Sequence, residues 1–386
     1  MDGMSPDMTP WADRPELIAM AGRLEARFVG GAVRDSLLGI PVADIDLATP
    51  LSPETVIERV RDSGFKPVPT GIAHGTITAV LPDGPVEVTT LRRDVSTDGR
   101  HAVVAFTDDW REDAGRRDFT MNALYADPAT GRIYDYFGGL DDLKAGRVRF
   151  IGDPLQRIAE DHLRILRFFR FHARFGDAVD EAGLAACAAR ANDLMALSRE
   201  RIAAELLKLL VAARAVPVVA LMVEHGIFRA VIPEIDADGV ARLTALAERE
   251  QAAGVAPDAI RRLAGLLPPE AAESVGARLK LSNTDRKRLI AATAGPGDEG
   301  PRALAYRTGS AGAVDRLLLA GESIEALRDW TPPALPLTGG ALVERGISKG
   351  PEVARLLRQV ETRWIAEGFP DAARVSALAD AAVAQA

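Results

Sequence analysis

The 386-residue sequence is poor in cysteine, in long apolar runs and in excess positive charge, and each shortage excludes a class of protein. A single cysteine, Cys187, cannot form an internal disulfide, which argues against a disulfide-stabilised secreted scaffold and fits a reducing compartment. The first residues have neither a basic start nor an apolar segment, so no signal peptide is expected. No apolar run is long enough for a membrane span. We therefore expect a cytoplasmic protein with no membrane partner.

The formal net charge of −8 argues weakly against a nucleic-acid partner. Whole-chain charge is a poor guide here, however, because the basic residues are clustered along the sequence. The length is sufficient for two or three domains with sizeable cores. Composition therefore does not exclude nucleic-acid binding, and the sequence motifs are the more informative evidence on function.

A glycine pair opens the most informative segment of the chain. Gly30 and Gly31 follow a short apolar run and precede a predicted helix over 32–38. Because glycine has no Cβ, backbone N–H groups at this turn can approach an anion, and the positive end of the helix points at the same place. Arg34 would add a charged fork to a phosphate. A glycine pair alone is also typical of an ordinary strand–turn–helix.

Two aspartates follow one short helix later. For Asp44-Ile45-Asp46-Leu47 we predict a strand, in which residues two apart share a face. The two carboxylates would repel each other unless a cation lay between them, and Mg²⁺ prefers such oxygen ligands. The alternative is a pair of solvated aspartates that bind no metal. Together with the glycine turn, the pair predicts a triphosphate held by backbone and metal.

This segment resembles the nucleotidyltransferases of the polymerase-beta superfamily, and specifically the bacterial tRNA CCA-adding enzyme and poly(A) polymerase family. That family carries Gly-Gly-x-x-Arg-Asp followed by Asp-x-Asp, matched here by Gly30, Gly31, Arg34, Asp35, Asp44 and Asp46. The resemblance implies that Asp44 and Asp46 hold two Mg²⁺ ions. It also implies CTP and ATP as substrates and the tRNA 3′ end as the partner that is extended.

Two further motifs support the resemblance. A predicted hairpin over 76–90 carries Glu87, which is either a solvated edge-strand glutamate or a third catalytic carboxylate near the metals, a position that polymerase-beta-like enzymes usually fill. The sequence from Arg116 to Ala123 resembles the family's Arg-Arg-Asp-x-x-x-Asn-Ala signature. The resemblance implies that Arg117 contacts nucleotide phosphate or sugar and that Asn122 braces the site.

Residues 91–101 are charged and contain the turn dipeptide Asp98-Gly99, so we predict an exposed mobile loop. The resemblance implies that such an intact loop accompanies the addition of all three nucleotides, whereas CC-only relatives have it shortened. The later sequence Asp135-Tyr136-Phe137-Gly138-Gly139 resembles the family's turn from the catalytic head into the next domain.

A predicted helix over 158–175 carries Asp161, Arg164, Arg167 and Arg170 at three-residue steps, which sweep about half of its circumference. This face is either an ordinary charged surface with an Asp161–Arg164 pair or a binding site, since three arginines on one arc repel each other without an anion. A carboxylate beside a guanidinium matches cytosine and adenine and leaves guanine and uracil unpaired. The helix resembles the family's amino-acid template for nucleotides, Glu-Asp-x-x-Arg-x-x-Arg.

We therefore predict an α/β head with a small mixed sheet, polymerase-beta-like, followed by an all-α neck, body and tail. The head would span 1–145, the neck with the nucleotide template 146–215, and the body and tail that bind tRNA 216–386. The predicted activity is template-independent addition or repair of the 3′-terminal CCA of tRNA, with no obligate protein partner implied. The rivals are a poly(A) polymerase, a CC-adding or A-adding specialist, and a non-catalytic RNA-binding protein on the same scaffold.

Overall fold

The structure is a computed structural model that describes residue 11 and residues 13–42, 44–97, 102–348 and 350–386. The chain forms two compact units, one extending to Pro233 and the other running from Glu234 to Ala386. Both internal boundaries predicted from the sequence lie within the first unit, and the finer division into head, neck, body and tail stays a prediction. In the described ranges, no helix has both the length and the apolarity that crossing a membrane requires.

A mixed sheet organises the first unit. The strands of this unit are β1 (Arg27–Val29), β2 (Asp46–Thr49), β3 (Lys66–Gly71), β4 (Thr76–Leu81), β5 (Gly84–Thr90), β6 (Arg92–Thr97), β7 (Ala102–Phe106), β8 (Leu124–Ala126) and β9 (Ile133–Asp135). Seven of them form one sheet in the order β3-β4-β5-β2-β1-β8-β9. The predicted hairpin is confirmed, because β4 and β5 pair antiparallel, and β5 lies parallel to β2. The predicted α/β head with a mixed sheet is therefore confirmed.

Two strands differ from the sequence prediction. β3 contains Pro67 and Pro69, which weaken a strand prediction, yet it lies at the sheet edge, where a missing N–H donor removes no ladder bond on the open side. The strand predicted to begin at Asp44 begins at Asp46. Its pairing with β5 begins at Asp46, which lies opposite Glu87, whereas its pairing with β1 involves only Leu47 and Ala48. Asp44 therefore precedes the strand and is exposed, and Asp46 is half-buried.

Residues 92–97 and 102–106 pair as two separate antiparallel strands, β6 and β7, so the loop predicted for 91–101 is wrong for residues 92–97. The apolar sequence of β7 supplies a partner strand that lies outside the charged segment on which the loop prediction was based. Arg92 anchors the base of this strand pair, since its backbone N–H donates to Asp113 and its guanidinium to the carbonyl of His74. The predicted tip, residues 98–101, lies outside the described residues.

Helices pack against the sheet and continue after it. They are α1 (Pro15–Arg23), α2 (Gly31–Leu37), α3 (Pro53–Asp62), α4 (Trp110–Gly115), α5 (Gly139–Lys144), α6 (Pro154–Glu160), α7 (Arg164–Phe175), α8 (Glu181–Ala189), α9 (Arg199–Leu210) and α10 (Ala215–Glu224). A buried cluster of aromatic rings holds α7 in place, with centroids 5.0 Å apart for Phe119 and Phe150 and 5.6 Å apart for Phe150 and Phe168. Because Phe119 lies three residues before Asn122, this cluster sets the position of α7 relative to that motif.

The single helix predicted over 158–175 is wrong, because the chain breaks between α6 and α7. Asp161 adopts extended backbone angles, φ −151° and ψ 107°. Its side chain accepts a hydrogen bond from the backbone N–H of Leu163 at 3.1 Å, which offers the chain a local alternative to helical bonding. Asp161 therefore does not lie on one helical arc with the three arginines.

Asp135 organises the turn from β9 into α5. Its carboxylate accepts hydrogen bonds from the four backbone N–H groups of residues 137–140, at 2.9–3.1 Å. Gly138 adopts φ 78°, and a Cβ on Gly139 would lie 2.3 Å from the carbonyl oxygen of Thr120. Both glycines are thus required by the geometry of this turn.

We expect Asp135→Ala to lower the free energy of unfolding of the first unit by about 2 kcal/mol, because four N–H groups lose one shared acceptor. Asp135→Asn keeps one acceptor oxygen and should cost about half as much. Urea denaturation measures both. Equal losses for the two variants would contradict the capping role.

The second unit is helical. Its helices are α11 (Ala237–Ala253), α12 (Ala259–Leu266), α13 (Ala272–Arg278), α14 (Asn283–Ala292), α15 (Pro301–Ala320), α16 (Gly339–Glu344), α17 (Pro351–Ala366) and α18 (Ala372–Val383). A buried ion network joins three of them, in which Arg261 bonds Glu250 at 2.7 Å and Asp315 at 3.2 Å. A separate apolar cluster surrounds the fully buried Trp364. The predicted all-α character of the chain after the head is confirmed.

Candidate active site

All but one of the residues predicted to bind nucleotide line one cleft of about 410 Å³ in the first unit, which we call the polar cleft. Its lining is Gly30, Gly31, Arg34, Asp46, Arg116, Arg117, Asp118, Asn122, Asp161, Arg164, Arg167 and Phe171. One end is formed by the glycine turn and β2, and the other by the break between α6 and α7. The structure thus places the predicted phosphate-binding residues and the predicted base-selecting residues around one cleft.

The glycine turn lies between β1 and α2. Gly30 adopts φ 69°, a conformation that favours glycine, and a Cβ there would lie 3.4 Å from a guanidinium nitrogen of Arg117. Gly31 begins α2, whose first turn leaves backbone N–H groups without partners inside the helix. The turn therefore offers bare backbone N–H donors beside a guanidinium, a combination suited to phosphate oxygens.

Asp46 lines the polar cleft, and two further predicted carboxylates lie at its edge in an adjoining hollow. Asp46 and Glu87 occupy paired positions on β2 and β5, and Asp44 lies two residues before Asp46. All three line a second hollow of about 690 Å³, and Asp46 lines both. Burial raises the pKa of Asp46, and the nearby carboxylates of Glu87 and Asp44 raise it further, against the opposing effect of Arg117.

These carboxylates fit a hard divalent cation. Among the described residues, no group of three or more His, Cys, Asp and Glu side chains is close enough to hold a metal ion unaided. Mg²⁺ is usually bound by one or two carboxylates together with substrate phosphates, which is the ligand set that Asp44, Asp46 and a triphosphate would supply. The raised pKa of Asp46 reflects burial first and then repulsion by Glu87 and Asp44, and a bound cation would oppose both effects.

Arg34 is buried, whereas an arginine that binds phosphate at an open surface would be exposed. Its guanidinium donates to Asp35 at 2.8 Å and to the side-chain oxygen of Asn122 at 2.5 Å, and it lies over the ring of Phe175 at 4.3 Å. Asn122 in turn donates to Asp118 at 3.0 Å. The two motif residues, Arg34 and Asn122, thus hold each other in place at the floor of the cleft.

Arg117 is oriented by a carboxylate and a phenol. Its guanidinium donates to Asp113 at 3.1 Å, and the hydroxyl of Tyr125 donates to the same carboxylate at 2.7 Å. Burial lowers the pKa of Arg117, but Tyr125 and Asp113 outweigh burial and raise it. Burial raises the pKa of Asp113, but Arg117 and Arg116 outweigh it and lower the pKa to about 2. Asp113 therefore stays ionised and keeps Arg117 directed at the glycine turn.

Because the folded-state pKa of Asp113 is about 2, below the ordinary 3.8, its contribution to stability is present above about pH 4 and is lost as pH falls toward 2. We expect Asp113→Asn to lower the free energy of unfolding at pH 7 by about 2 kcal/mol, a difference that shrinks between pH 4 and 2. Urea denaturation at several pH values measures it. The exposed Asp141→Asn is the control and should leave the pH slope unchanged. An unchanged slope in Asp113→Asn would contradict the assignment.

The predicted Asp161–Arg164 pair is not a salt bridge. Asp161 accepts from one guanidinium nitrogen of Arg201 at 2.9 and 3.2 Å, and Arg164 donates to Glu160 at 2.6 Å and to the carbonyls of Arg157 and Arg116. Protein acceptors thus occupy three of the five N–H donors of Arg164, which leaves up to two for a ligand. Both side chains line the polar cleft, held from behind by other partners.

The remaining two predicted arginines are neutralised by the protein itself. Arg167 donates twice to one oxygen of Asp118, at 2.7 and 2.5 Å. Arg170 donates to Glu205 at 2.5 Å and does not line the polar cleft. The expectation that the arginines need an external anion to relieve their repulsion is therefore wrong, because carboxylates distant in sequence supply the compensating charge.

Sequence reasoning does not single out four residues of this site. Arg116 and Asp118 belong to the recognised arginine–arginine–aspartate motif, so the motif itself was an available signal. Phe171 follows Arg167 by one helical turn, and its ring lies 5.3 Å from the guanidinium carbons of both Arg34 and Arg167. Arg201 is 40 residues from its partner Asp161, and no local pattern connects them.

Comparison with known proteins finds two matches to family models within the first part of the chain. Residues 26–149 match the family model described as "Poly A polymerase head domain", and residues 178–238 match "Probable RNA and SrmB- binding site of polymerase A". The mouse protein named "CCA tRNA nucleotidyltransferase 1, mitochondrial" is 36% identical over 372 residues, covering 89% of this chain and 84% of the mouse protein.

Two bacterial proteins show the similarity over almost the full length. The CCA-adding enzyme of Latilactobacillus sakei subsp. sakei is 32% identical over 383 residues, covering 92% of this chain and 93% of its own. The solved structure of the Bacillus stearothermophilus CCA-adding enzyme in complex with CTP superposes with a TM-score of 0.68 at 26% identity and covers 93% of both chains.

Proposed function

The chain belongs to the CCA-adding enzyme and poly(A) polymerase family, and from that premise we propose that it builds or repairs the 3′-terminal CCA of tRNA from CTP and ATP without a nucleic-acid template. The observation that carries the proposal is the polar cleft, whose lining includes groups suited to phosphate oxygens at one end and the carboxylate of Asp161 and the guanidinium of Arg164 at the other. A non-catalytic RNA-binding protein would not need the three carboxylates at its edge.

In the proposed reaction, the 3′-hydroxyl oxygen of the RNA bonds to the α-phosphorus, and the bond from that phosphorus to the β-phosphate oxygen breaks, releasing pyrophosphate. Two Mg²⁺ ions bound by Asp44 and Asp46 would favour deprotonation of the hydroxyl and neutralise the leaving group. The glycine turn and Arg117 would position the triphosphate. Glu87, paired with Asp46 across β2 and β5, would accept a hydrogen bond or complete the metal site.

Base selection would take place at the other end of the polar cleft. Asp161 would accept a hydrogen bond from the exocyclic amine of cytosine or adenine, and Arg164 would donate to the adjacent ring nitrogen. Arg201 would orient the carboxylate of Asp161, and Glu160 would orient the guanidinium of Arg164, because each forms a hydrogen bond with that group. Arg167, fixed by Asp118, would lie against the same nucleotide. Arg170, which is paired with Glu205 and lies outside the polar cleft, would not contact the nucleotide directly.

The test is incubation of the protein with tRNA lacking one, two or all three of the terminal nucleotides, with CTP, with ATP and with both. We expect full CCA addition when both nucleotides are present and no extension by UTP or GTP. A product that stops at CC would identify a CC-adding specialist, and an A tail on any RNA would identify a poly(A) polymerase. We further propose that the reaction takes place in the cytoplasm, which the single cysteine supports.

A further inference from the structure

The second unit contains a hollow that the proposed reaction does not use. It has a volume of about 440 Å³ and lies among α11, α12, α14 and α15. Small and apolar side chains form most of its wall, for example Ala245, Ala264 and Leu319. Ligand pockets of this size are typically lined by apolar groups with a few placed polar ones. We call it the arginine hollow, because its polar groups are mainly three arginines.

Each of these arginines is fixed by backbone carbonyls, which lie at the end of a helix for Arg242 and Arg249 and in the loop after α14 for Arg316. Arg242 donates to the carbonyls of Gly265 and Leu266 at 3.1 and 3.0 Å, Arg249 to those of Leu318 and Leu319 at 3.0 and 3.2 Å, and Arg316 to that of Gly295. Each guanidinium has five N–H donors, and these bonds occupy at most two of them. The bonds to the carbonyls hold each guanidinium in place, and its remaining N–H donors are not bonded to these carbonyls.

Among the residues described, no carboxylate of its lining offsets the positive charge of the arginine hollow, in which Arg242 is exposed to solvent and Arg249 and Arg316 are half-buried. Within the described part of the chain, its lining includes no aspartate or glutamate, and none of the three guanidiniums forms a salt bridge. Other arginines of the same unit are paired with carboxylates, for example Arg288 with Asp315 and Arg278 with Glu234. A helix end supplies about half a negative charge, so the ends of α12 and α15 together offset at most about one of the three positive charges.

Two glycines allow close packing beside the arginine hollow. Gly321, which ends α15, adopts φ 79°, and a Cβ there would lie 3.1 Å from the guanidinium carbon of Arg249. At the base, a Cβ on Gly265 would lie 3.1 Å from a methyl group of Leu246. Glycine at position 321 allows the guanidinium of Arg249 to cover the end of α15, and glycine at position 265 allows Leu246 to pack closely against α12.

We propose that the arginine hollow binds a small organic anion with an apolar body and one carboxylate or phosphate group. The apolar wall would hold the body, and the three guanidiniums would hold the head group. An RNA backbone is less suited to this place, because its phosphates are separated by polar ribose and would not fill an apolar hollow. The proposal is independent of the reaction assigned to the first unit.

The test uses octanoate as the probe, with octan-1-ol as the neutral counterpart and inorganic phosphate as the counterpart without an apolar body. We expect saturable binding of octanoate to the full-length chain by isothermal titration calorimetry, and at least tenfold weaker binding of the other two. Equal affinity for octanoate and octan-1-ol would overturn the role of the arginines. Absence of saturable octanoate binding would overturn the proposal as a whole.

Two substitutions with matched controls locate the binding. Arg249→Met should weaken octanoate binding at least tenfold, whereas Arg302→Met, which also removes an arginine bound to a carbonyl, should not change it. Ala245→Leu fills the hollow and leaves all three arginines in place, and Ala252→Leu on the exposed side of the same helix is its control. If Ala245→Leu binds octanoate normally, the site is elsewhere. If Arg249→Met loses tRNA affinity but binds octanoate normally, the arginines serve RNA and the proposal is wrong.

Discussion

Replacement of Asp46 by Asn is expected to abolish nucleotide incorporation, with a loss of at least about three powers of ten. Metal-assisted transfer derives several kcal/mol of barrier lowering from the ions, and each power of ten corresponds to about 1.4 kcal/mol. The amide preserves the shape of the side chain but is a much poorer ligand for Mg²⁺. Asp44→Asn should cause a comparable loss. Single-turnover extension of tRNA that lacks its terminal nucleotides measures both.

The structure supplies a matched control and a second measurement. Asp83 lines the same hollow as Asp44 but pairs with Arg14 at 3.8 Å, so Asp83→Asn should leave incorporation unchanged. Because burial and two neighbouring carboxylates raise the pKa of Asp46, removing its charge should leave thermal stability equal or higher. A variant that is inactive and also unfolded would not support a metal role, and an active Asp46→Asn would contradict it.

The parts of the fold that the sequence predicts well are those with a strong local signal. The hairpin of β4 and β5 has alternating β-branched residues on both sides of a Pro-Asp-Gly turn, and the structure has it within one or two residues. The turn at Gly30 requires a positive φ that glycine adopts without strain. These features depend on neighbouring residues only, so a local pattern is enough to find them.

The features that the sequence does not reveal depend on distant partners. At the break before α7, Asp161 bonds to its neighbour Leu163 and also to Arg201 on α9, a partner that no local pattern reveals. The neutralisation of Arg167 depends on Asp118, 49 residues earlier. Periodicity places the arginines on one arc and correctly indicates a concentration of charge. It cannot show that carboxylates from elsewhere in the chain have already compensated that charge.

This arrangement changes how base selection is best tested. Exchanging the polarities through Asp161→Arg with Arg164→Asp would place the new guanidinium against Arg201 and the new carboxylate against Glu160. Both contacts are between like charges, so the double variant would lose its geometry as well as its specificity. A single substitution that retains the shape of the carboxylate avoids this problem.

Asp161→Asn is therefore expected to relax base selection while retaining part of the activity. The amide can turn either its oxygen or its NH₂ group toward the base, so the carbonyl of uracil or guanine finds a donor that the carboxylate does not provide. One corrected or mismatched hydrogen bond is worth about 1–3 kcal/mol, which raises the ratio of UTP and GTP to CTP and ATP incorporation by about 10- to 100-fold. The measurement is that ratio in one preparation. Asp193→Asn removes a carboxylate paired with Arg190 at 2.6 Å outside the polar cleft and should leave the ratio unchanged. If Asp161→Asn keeps the wild-type ratio, Asp161 only anchors Arg201, and the base is read by other groups of the cleft.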